Sequence, residues 1–191
     1  MLLWIIMIAA AAIILYAIII FNSLVHTRQM ANEAWSGISV QLKRRSELVP
    51  NLVEAVKGYV GHERSVVEDV TRLRGAARSL PANDVTGRAQ AEGALSLALG
   101  KLVALAESYL DLKASENFLQ LQQQLSQLET ELQMARRYYN GTVRNQNVLV
   151  QSFPSNLIAG LFGFEQRQYF EVSDEADRAT APVAFQLPAA R

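Results

Sequence analysis

The sequence predicts an all-α protein: a single N-terminal transmembrane helix followed by a body of long packed helices. Three observations point there. Leu2 to Phe21 contains no charged residue, no proline and no glycine. Beyond it, apolar residues recur at three- and four-residue steps. From Phe118 to Tyr139 that recurrence settles into a heptad rhythm.

As a helix, Leu2 to Phe21 would be about 30 Å long, the thickness of a bilayer core. Twenty all-apolar residues at the very start argue against a buried core helix. A cleaved signal peptide would carry a basic segment before the apolar core and a small-residue cleavage site after it. Here no Lys or Arg precedes the core, and Ala9 to Ala12 lie in its middle. No Cys follows for lipid attachment. The expectation is an uncleaved, single-pass anchor over residues 1–21, bounded by Leu2 and Phe21, with Trp4 near one interface. Arg28 and then Lys43, Arg44 and Arg45 follow the anchor. By the positive-inside rule they favour a cytoplasmic body. Glu33 weakens that charge bias, and an exported body stays open.

The roughly 170 residues after the anchor suffice for one domain with a sizeable core. Eighteen basic and 18 acidic residues give zero formal net charge, so nothing global favours nucleic acid. The absence of cysteine excludes disulfides, thiolate metal sites and a cysteine nucleophile.

Trp35, Ile38, Leu42, Val49, Leu52, Val56 and Tyr59 fall on one stripe, which Arg45 interrupts. Val66, Val70 and Leu73 continue it, predicting one long amphipathic helix that runs on from the anchor. Pro50 lies inside and is expected to kink or divide it. Residues 79–84 read as a loop, with Asp84 as N-cap of a second helix from Val85 to about Tyr109. That helix carries Ala91, Leu95, Ala98, Leu102, Leu105 and Ala106, with Gly93 and Gly100 permitting close approach. Leu110 to Leu112 reads as a joint with Asp111 as cap. The third helix places Phe118, Leu121, Leu125, Leu128, Leu132, Ala135 and Tyr139 on a coiled-coil or bundle seam. Thr142 and Gln146 interrupt the seam before Phe153, and Pro154 stops the helix. Leu157, Ile158, Leu161, Phe162 and Phe164 form a second apolar island, too short to span a bilayer. It reads as a cap on the bundle core or as a contact with membrane or a neighbouring subunit. The expected parts are an anchor (1–21), a helical bundle (22–164) and a partly irregular tail (165–191). Val183 to Phe185 in the tail is a candidate short strand.

Catalytic signals are sparse. His62 and Glu63 form the one histidine–acid pair of the body, but position 66 is Val where a helix-borne zinc site needs a second His. Gly160 and Gly163 lack the following Lys and Ser or Thr of a phosphate loop. No cofactor or metal is expected. Arg44 and Arg45 are expected to pair with acids on a neighbouring helix, since a straight helix carries them about 30 Å past the anchor, beyond headgroup reach. Arg136 and Arg137 could return toward Asn32 and Glu33 if the third helix runs antiparallel to the first. Asn140 and Asn147, seven apart, share a face and could hydrogen-bond across helices.

These residues also carry a resemblance. The ordered matches are Asn22-Ser23-Leu24-Val25, Glu33-Ala34-Trp35, and Gln41-Leu42-Lys43-Arg44-Arg45 with Leu48-Val49-Pro50-Asn51-Leu52-Val53. Then come His62-Glu63, Asp111-Leu112-Lys113-Ala114, Asn117-Phe118, and Ala135-Arg136-Arg137-Tyr138-Tyr139-Asn140. Ser152-Phe153-Pro154-Ser155-Asn156, Gly163-Phe164 and Tyr169-Phe170 close the pattern. The chain resembles the LemA family of bacterial membrane-anchored proteins from the anchor to about Glu171. The resemblance implies an antiparallel, up-and-down four-helix bundle on an N-terminal membrane helix, without an established enzymatic activity. It departs at Leu110, where the family commonly has proline, which leaves open a more continuous second and third helix. A relative that acts in building magnetosome membranes implies membrane organisation. Relatives encoded beside a membrane metalloprotease imply a partner role, and relatives with lipoprotein signals favour an exported body.

The expected function is a non-enzymatic, membrane-anchored scaffold that forms homo-oligomers and organises the cell envelope. The alternative is an adaptor of another membrane protein, such as a protease or envelope protein. An enzyme built on His62 and Glu63 is the third reading.

Overall fold

The computed structural model describes residues 1–59 and 63–171. It contains α1 (Leu2–Lys57), α2 (Arg64–Ser79), α3 (Val85–Glu107), α4 (Leu110–Lys113), α5 (Glu116–Gln151) and α6 (Ser155–Leu161). No strand occurs among the described residues, so the fold is all-α.

The 56 residues of α1 span about 84 Å as one continuous helix. Its start is the one segment among the described residues long and apolar enough to cross a membrane. Most of that stretch is bare, with Ile8 67 % exposed and Ile13 70 %, and only its end, at Ile20 and Phe21, packs on the body. Burial begins at Leu24 and continues through Ala31, Ala34, Ile38, Leu42, Val49, Leu52 and Val56. Helix α5 packs along this face in the opposite direction. Arg45 meets Glu129, Trp35 meets Tyr139, and Leu24 lies against Leu149 and Val150. As one number falls the other rises, so the pair is antiparallel. The heptad seam of α5 supplies the facing side, with Phe118, Leu125, Leu132 and Tyr139 buried.

The predicted first helix ends earlier than its stripe. α1 stops at Lys57, and Val66, Val70 and Leu73 belong to α2, which folds back on α1 and packs on α3. The stripe kept its phase across a turn because an antiparallel partner buries the same period of residues as a continued helix would. Pro50 does not divide α1. Proline removes the N–H that would bond the carbonyl four residues earlier, here that of Ser46. The Nε of Arg74 on α2 donates to that carbonyl at 2.7 Å. The freed acceptor is therefore satisfied from a neighbouring helix, and Pro50 itself is exposed.

The loop of residues 80–84 falls where expected, and the Asp84 carboxylate caps α3 by accepting from the Gly87 N–H at 2.8 Å. A Cβ on Gly87 would collide with that carboxylate, so any larger residue there must displace the cap. Gly93 is buried, but Gly100 is exposed with open space around it and permits no close helix approach. A break precedes Leu110, so α3 and α5 are not continuous. Asp111 is not the cap: Tyr109 occupies the N-cap position of the one-turn α4, and Asp111 lies in its first turn.

Three apolar clusters line α1. The distal one centres on Leu52, Val56, Leu95, Leu102 and Phe118. The middle one holds Ile38, Leu42, Ala89, Leu132, Tyr139 and Phe170. The basal one joins Leu24, Ala159 and Phe164 where α1 leaves the body. Each fully buried Leu contributes about 2 kcal/mol of transfer free energy.

Candidate functional site

Two polar constructions and one bare apolar surface stand out from this scaffold. The first is a charged layer between the distal and middle clusters. Arg45 interrupts the stripe of α1 because it is buried among charges, at 1 % exposure. Its Nη1 stands 3.4 Å from Glu92 Oε2 of α3, and its Nη2 donates to Ser96 Oγ at 2.6 Å. Its Nε lies 3.0 Å from Glu129 Oε1 of α5, an ion pair whose angle falls outside hydrogen-bond geometry. Three helices thus meet at one guanidinium. Burial pushes the Glu92 carboxyl above its ordinary value, and the positive charges of Arg45, Arg136 and Arg88 pull it back only in part. Burial and the repulsion of Arg45 lower the pKa of Arg136, opposed by Glu129 and Glu92. A cleft of about 360 Å³ opens beside Glu92, lined also by Ser39, Lys43, Ser46, Arg78 and Arg88.

The second construction is a strap. After α6 the chain runs without helix or strand along α5 and ends its described course at Glu171. Asn147 holds it from both sides of one residue: its Nδ2 donates to Arg167 O at 2.9 Å, and its Oδ1 accepts from Arg167 N–H at 2.8 Å. Asn140 does the same to Phe170, at 3.2 and 2.9 Å. Their expected bonds across helices are therefore bonds to an extended segment that lies over the helix. A side-chain amide offers one donor and one acceptor, so it can mimic a neighbouring strand. The seven-residue spacing sets two such clamps two helical turns apart, about 10 Å. Gln146 Nε2 adds a bond to Glu165 O at 3.3 Å, and Tyr139 Oη donates to Gln168 O at 3.0 Å. Phe170 is 2 % exposed and packs 5.9 Å from Trp35, whose Nε1 donates to Ala82 O.

The remaining expected residues are placed as follows. Arg44 pairs with Glu131 of α5 at 3.4 Å on the exposed side. Arg136 does not meet Asn32 or Glu33: its guanidinium lies over the Phe170 ring, 5.1 Å from the centroid. Asn32 instead accepts from Arg167 of the strap. Arg137 and Asn51 are exposed. Glu63 accepts from Tyr109 Oη at 2.9 Å, which raises the pKa of that phenol. His62 and the candidate strand at Val183 to Phe185 lie outside the described residues. No group of three or more His, Cys, Asp or Glu among the described residues could hold a metal.

The apolar island resolves into two faces. Phe164 is buried and Ile158 is partly buried against the base of α1, so neither is bare surface. Leu157 is 62 % exposed, Leu161 76 % and Phe162 55 %, with Phe153 just before α6 at 80 %. Glu92, Glu129, Ser96 and Arg74 are not singled out by the sequence, and Phe170 enters there only in the Tyr169-Phe170 match. Glu92 had a signal: an acid three residues from both Ala89 and Leu95 on an otherwise apolar stripe.

A spanning-length apolar helix running unbroken into an antiparallel helical body, closed by a clamped strap, defines an all-helical protein with an apolar N-terminal extension. The chain belongs to the LemA family, whose model matches residues 34–185. It is 22 % identical over 183 residues to Magnetosome protein MamQ 2 of Paramagnetospirillum magneticum, covering 82 % of this chain and 66 % of that protein. Magnetosome protein MamQ of Magnetospirillum gryphiswaldense matches at 22 % over 181 residues with the same coverage. Protein LemA of Metamycoplasma hominis is 25 % identical over 153 residues, covering 80 % of this chain and 69 % of that protein. The chain thus spans 66 % of the length of the MamQ relatives, slightly under two thirds.

Proposed function

We propose that this chain is a non-enzymatic, membrane-anchored scaffold that self-associates and organises the bacterial envelope, with Leu2 to Phe21 crossing the inner membrane. The observation that carries the reading is the continuity of α1. One helix supplies both the bare apolar segment and the central strut of the body. A helix of this length without a flexible joint fixes the direction of the body relative to the bilayer, as a tether would not. The other helices brace that strut through Arg45 and Arg74, and the strap braces it through Arg167 on Asn32 and Phe170 against Trp35. Membership in a family with MamQ and LemA relatives is consistent with a membrane setting.

The test is amine cross-linking and native mass measurement of the full chain in nanodiscs, over a range of protein-to-lipid ratios. Discrete oligomers that persist as the ratio is lowered support the scaffold. A strictly monomeric chain at membrane-like density refutes self-association.

A further inference from the structure

We propose that α6 is a second membrane contact: its bare face rests in the interface of the leaflet from which α1 emerges. The inference rests on the reading that Leu2 to Phe21 spans a bilayer. Its own support is position. Phe21 is the last residue of the apolar run before the polar pair Asn22 and Ser23, so it marks the edge of the hydrocarbon layer. The Phe162 ring lies 4.8 Å from the Phe21 ring, and the Phe164 ring 5.8 Å from it. Helix α6 is therefore held at the depth at which the anchor ends.

Its composition suits that depth on both faces. Ala159 and Ser155 face the body and are buried. Leu157 and Leu161, one turn apart, face away with Phe153 and Phe162, and all four are more than half exposed. Residues 156–164 carry no charge. An apolar patch of this kind, contiguous with a spanning helix, finds its cover in the same lipid.

The polar groups are arranged for low dielectric. Ser155 Oγ bonds to Leu149 O and Ser152 O. The N–H groups of Asn156, Leu157, Phe162 and Phe164 all donate to backbone carbonyls. An interfacial segment needs that internal satisfaction, because unpaired amides are costly away from water. The guanidinium of Arg28 lies over the Phe164 ring at 4.8 Å from its centroid. The Arg28 backbone stands seven residues past Phe21, a rise of about 10 Å to headgroup depth, from which the side chain reaches the ring at the lipid boundary where a cation is favoured.

The chain has no cysteine, so single-cysteine variants carry a spin label without background. Leu157→Cys, Leu161→Cys, Ile8→Cys and Gln123→Cys are labelled in the full chain and placed in nanodiscs of zwitterionic and anionic phospholipid. Collision with oxygen, which partitions into lipid, is compared with collision with a water-soluble nickel chelate. The proposal expects the labels at 157 and 161 to favour oxygen several-fold over the aqueous label at 123, approaching the label at 8. If 157 and 161 behave like 123 while 8 reports lipid, the interfacial contact is overturned and the anchor stands. If 8 is also aqueous, the anchor reading falls and the contact with it. If 157 and 161 are shielded from both agents and broadened by spin–spin coupling, the face is an interface between copies, which also overturns the proposal.

Discussion

Arg74 satisfies the carbonyl that Pro50 leaves open: its Nε donates to Ser46 O at 2.7 Å, four residues before the proline. Pro50 and Arg74 are thus energetically linked without touching. Replacing Arg74→Ala leaves a half-buried acceptor unpaired, which costs about 1–3 kcal/mol. In a Pro50→Ala background the Ala N–H takes that carbonyl, and the same Arg74→Ala change should cost clearly less. Denaturant unfolding of the four variants of the cycle in detergent gives the coupling. Equal costs in both backgrounds would show that the bond is incidental.

The strap is the most directly testable construction. The N–H groups of Arg167 and Phe170 donate to the side chains of Asn147 and Asn140. Hydrogen exchange at these two amides should rise at least tenfold in Asn147→Ala and Asn140→Ala respectively. Asn147→Asp keeps the acceptor oxygen and loses the donor, so the Arg167 amide should stay protected while its carbonyl loses its partner. Wild-type exchange in both alanine variants would mean that the two asparagine clamps do not hold the strap, which then rests on Phe170 packing and the Gln146, Tyr139 and Asn32 bonds.

The charged layer makes opposite predictions for one change and for two. Arg45→Met strands the buried Glu92 carboxylate and should destabilise by about 3 kcal/mol or more, since an uncompensated buried charge is worse than none. Arg45→Met with Glu92→Met removes both charges and should recover most of that loss. Thermal unfolding of the single and double variants distinguishes a mutual dependence from independent packing losses.

The pH dependence follows from the direction of the Glu92 shift. Its folded pKa lies above its unfolded value because burial penalises the carboxylate. The folded state therefore holds the proton more tightly, and that contribution is full below the unfolded pKa. It is lost as pH rises through the raised folded pKa. Relative to Glu92→Gln, the native chain should lose stability as pH climbs out of the ordinary carboxylate range toward neutrality. A pH-independent difference between the two would mean that Glu92 does not titrate abnormally.

Helix α3 should depend on one local contact at its start. Asp84→Ala removes the bond to Gly87 N–H and should cost about 1 kcal/mol. Gly87→Ala brings a Cβ onto the same carboxylate and should cost a similar amount despite alanine's better helix propensity. Additivity of the two losses in the double variant would count against a shared cause.

Local chemistry made part of this protein legible from its sequence. The charge-free run, the α5 seam through Leu125 and Leu132, and the Asp84 cap each depend on residues within a few turns of one another. Helical period and capping chemistry operate over that distance, so those elements stood where the sequence placed them. Arg45 was visible as an anomaly on its stripe, because a charge at a core position must be paired. Its partners were not, since Glu92 and Glu129 lie on other helices.

Only the tertiary structure decided where the stripe of α1 folds back, what takes up the Ser46 carbonyl, and what Asn140 and Asn147 hold. An apolar period is the same whether a helix continues or a second one returns beside it. A face of asparagines states that hydrogen bonds are needed but not whether a helix or an extended strap supplies the partner. The sequence alone determined the helices and their apolar faces, because these follow from near neighbours. The arrangement at the base, with Phe162 against Phe21 and Leu161 turned outward, was set by the return of α5 and α6 to the foot of α1, more than a hundred residues along the chain.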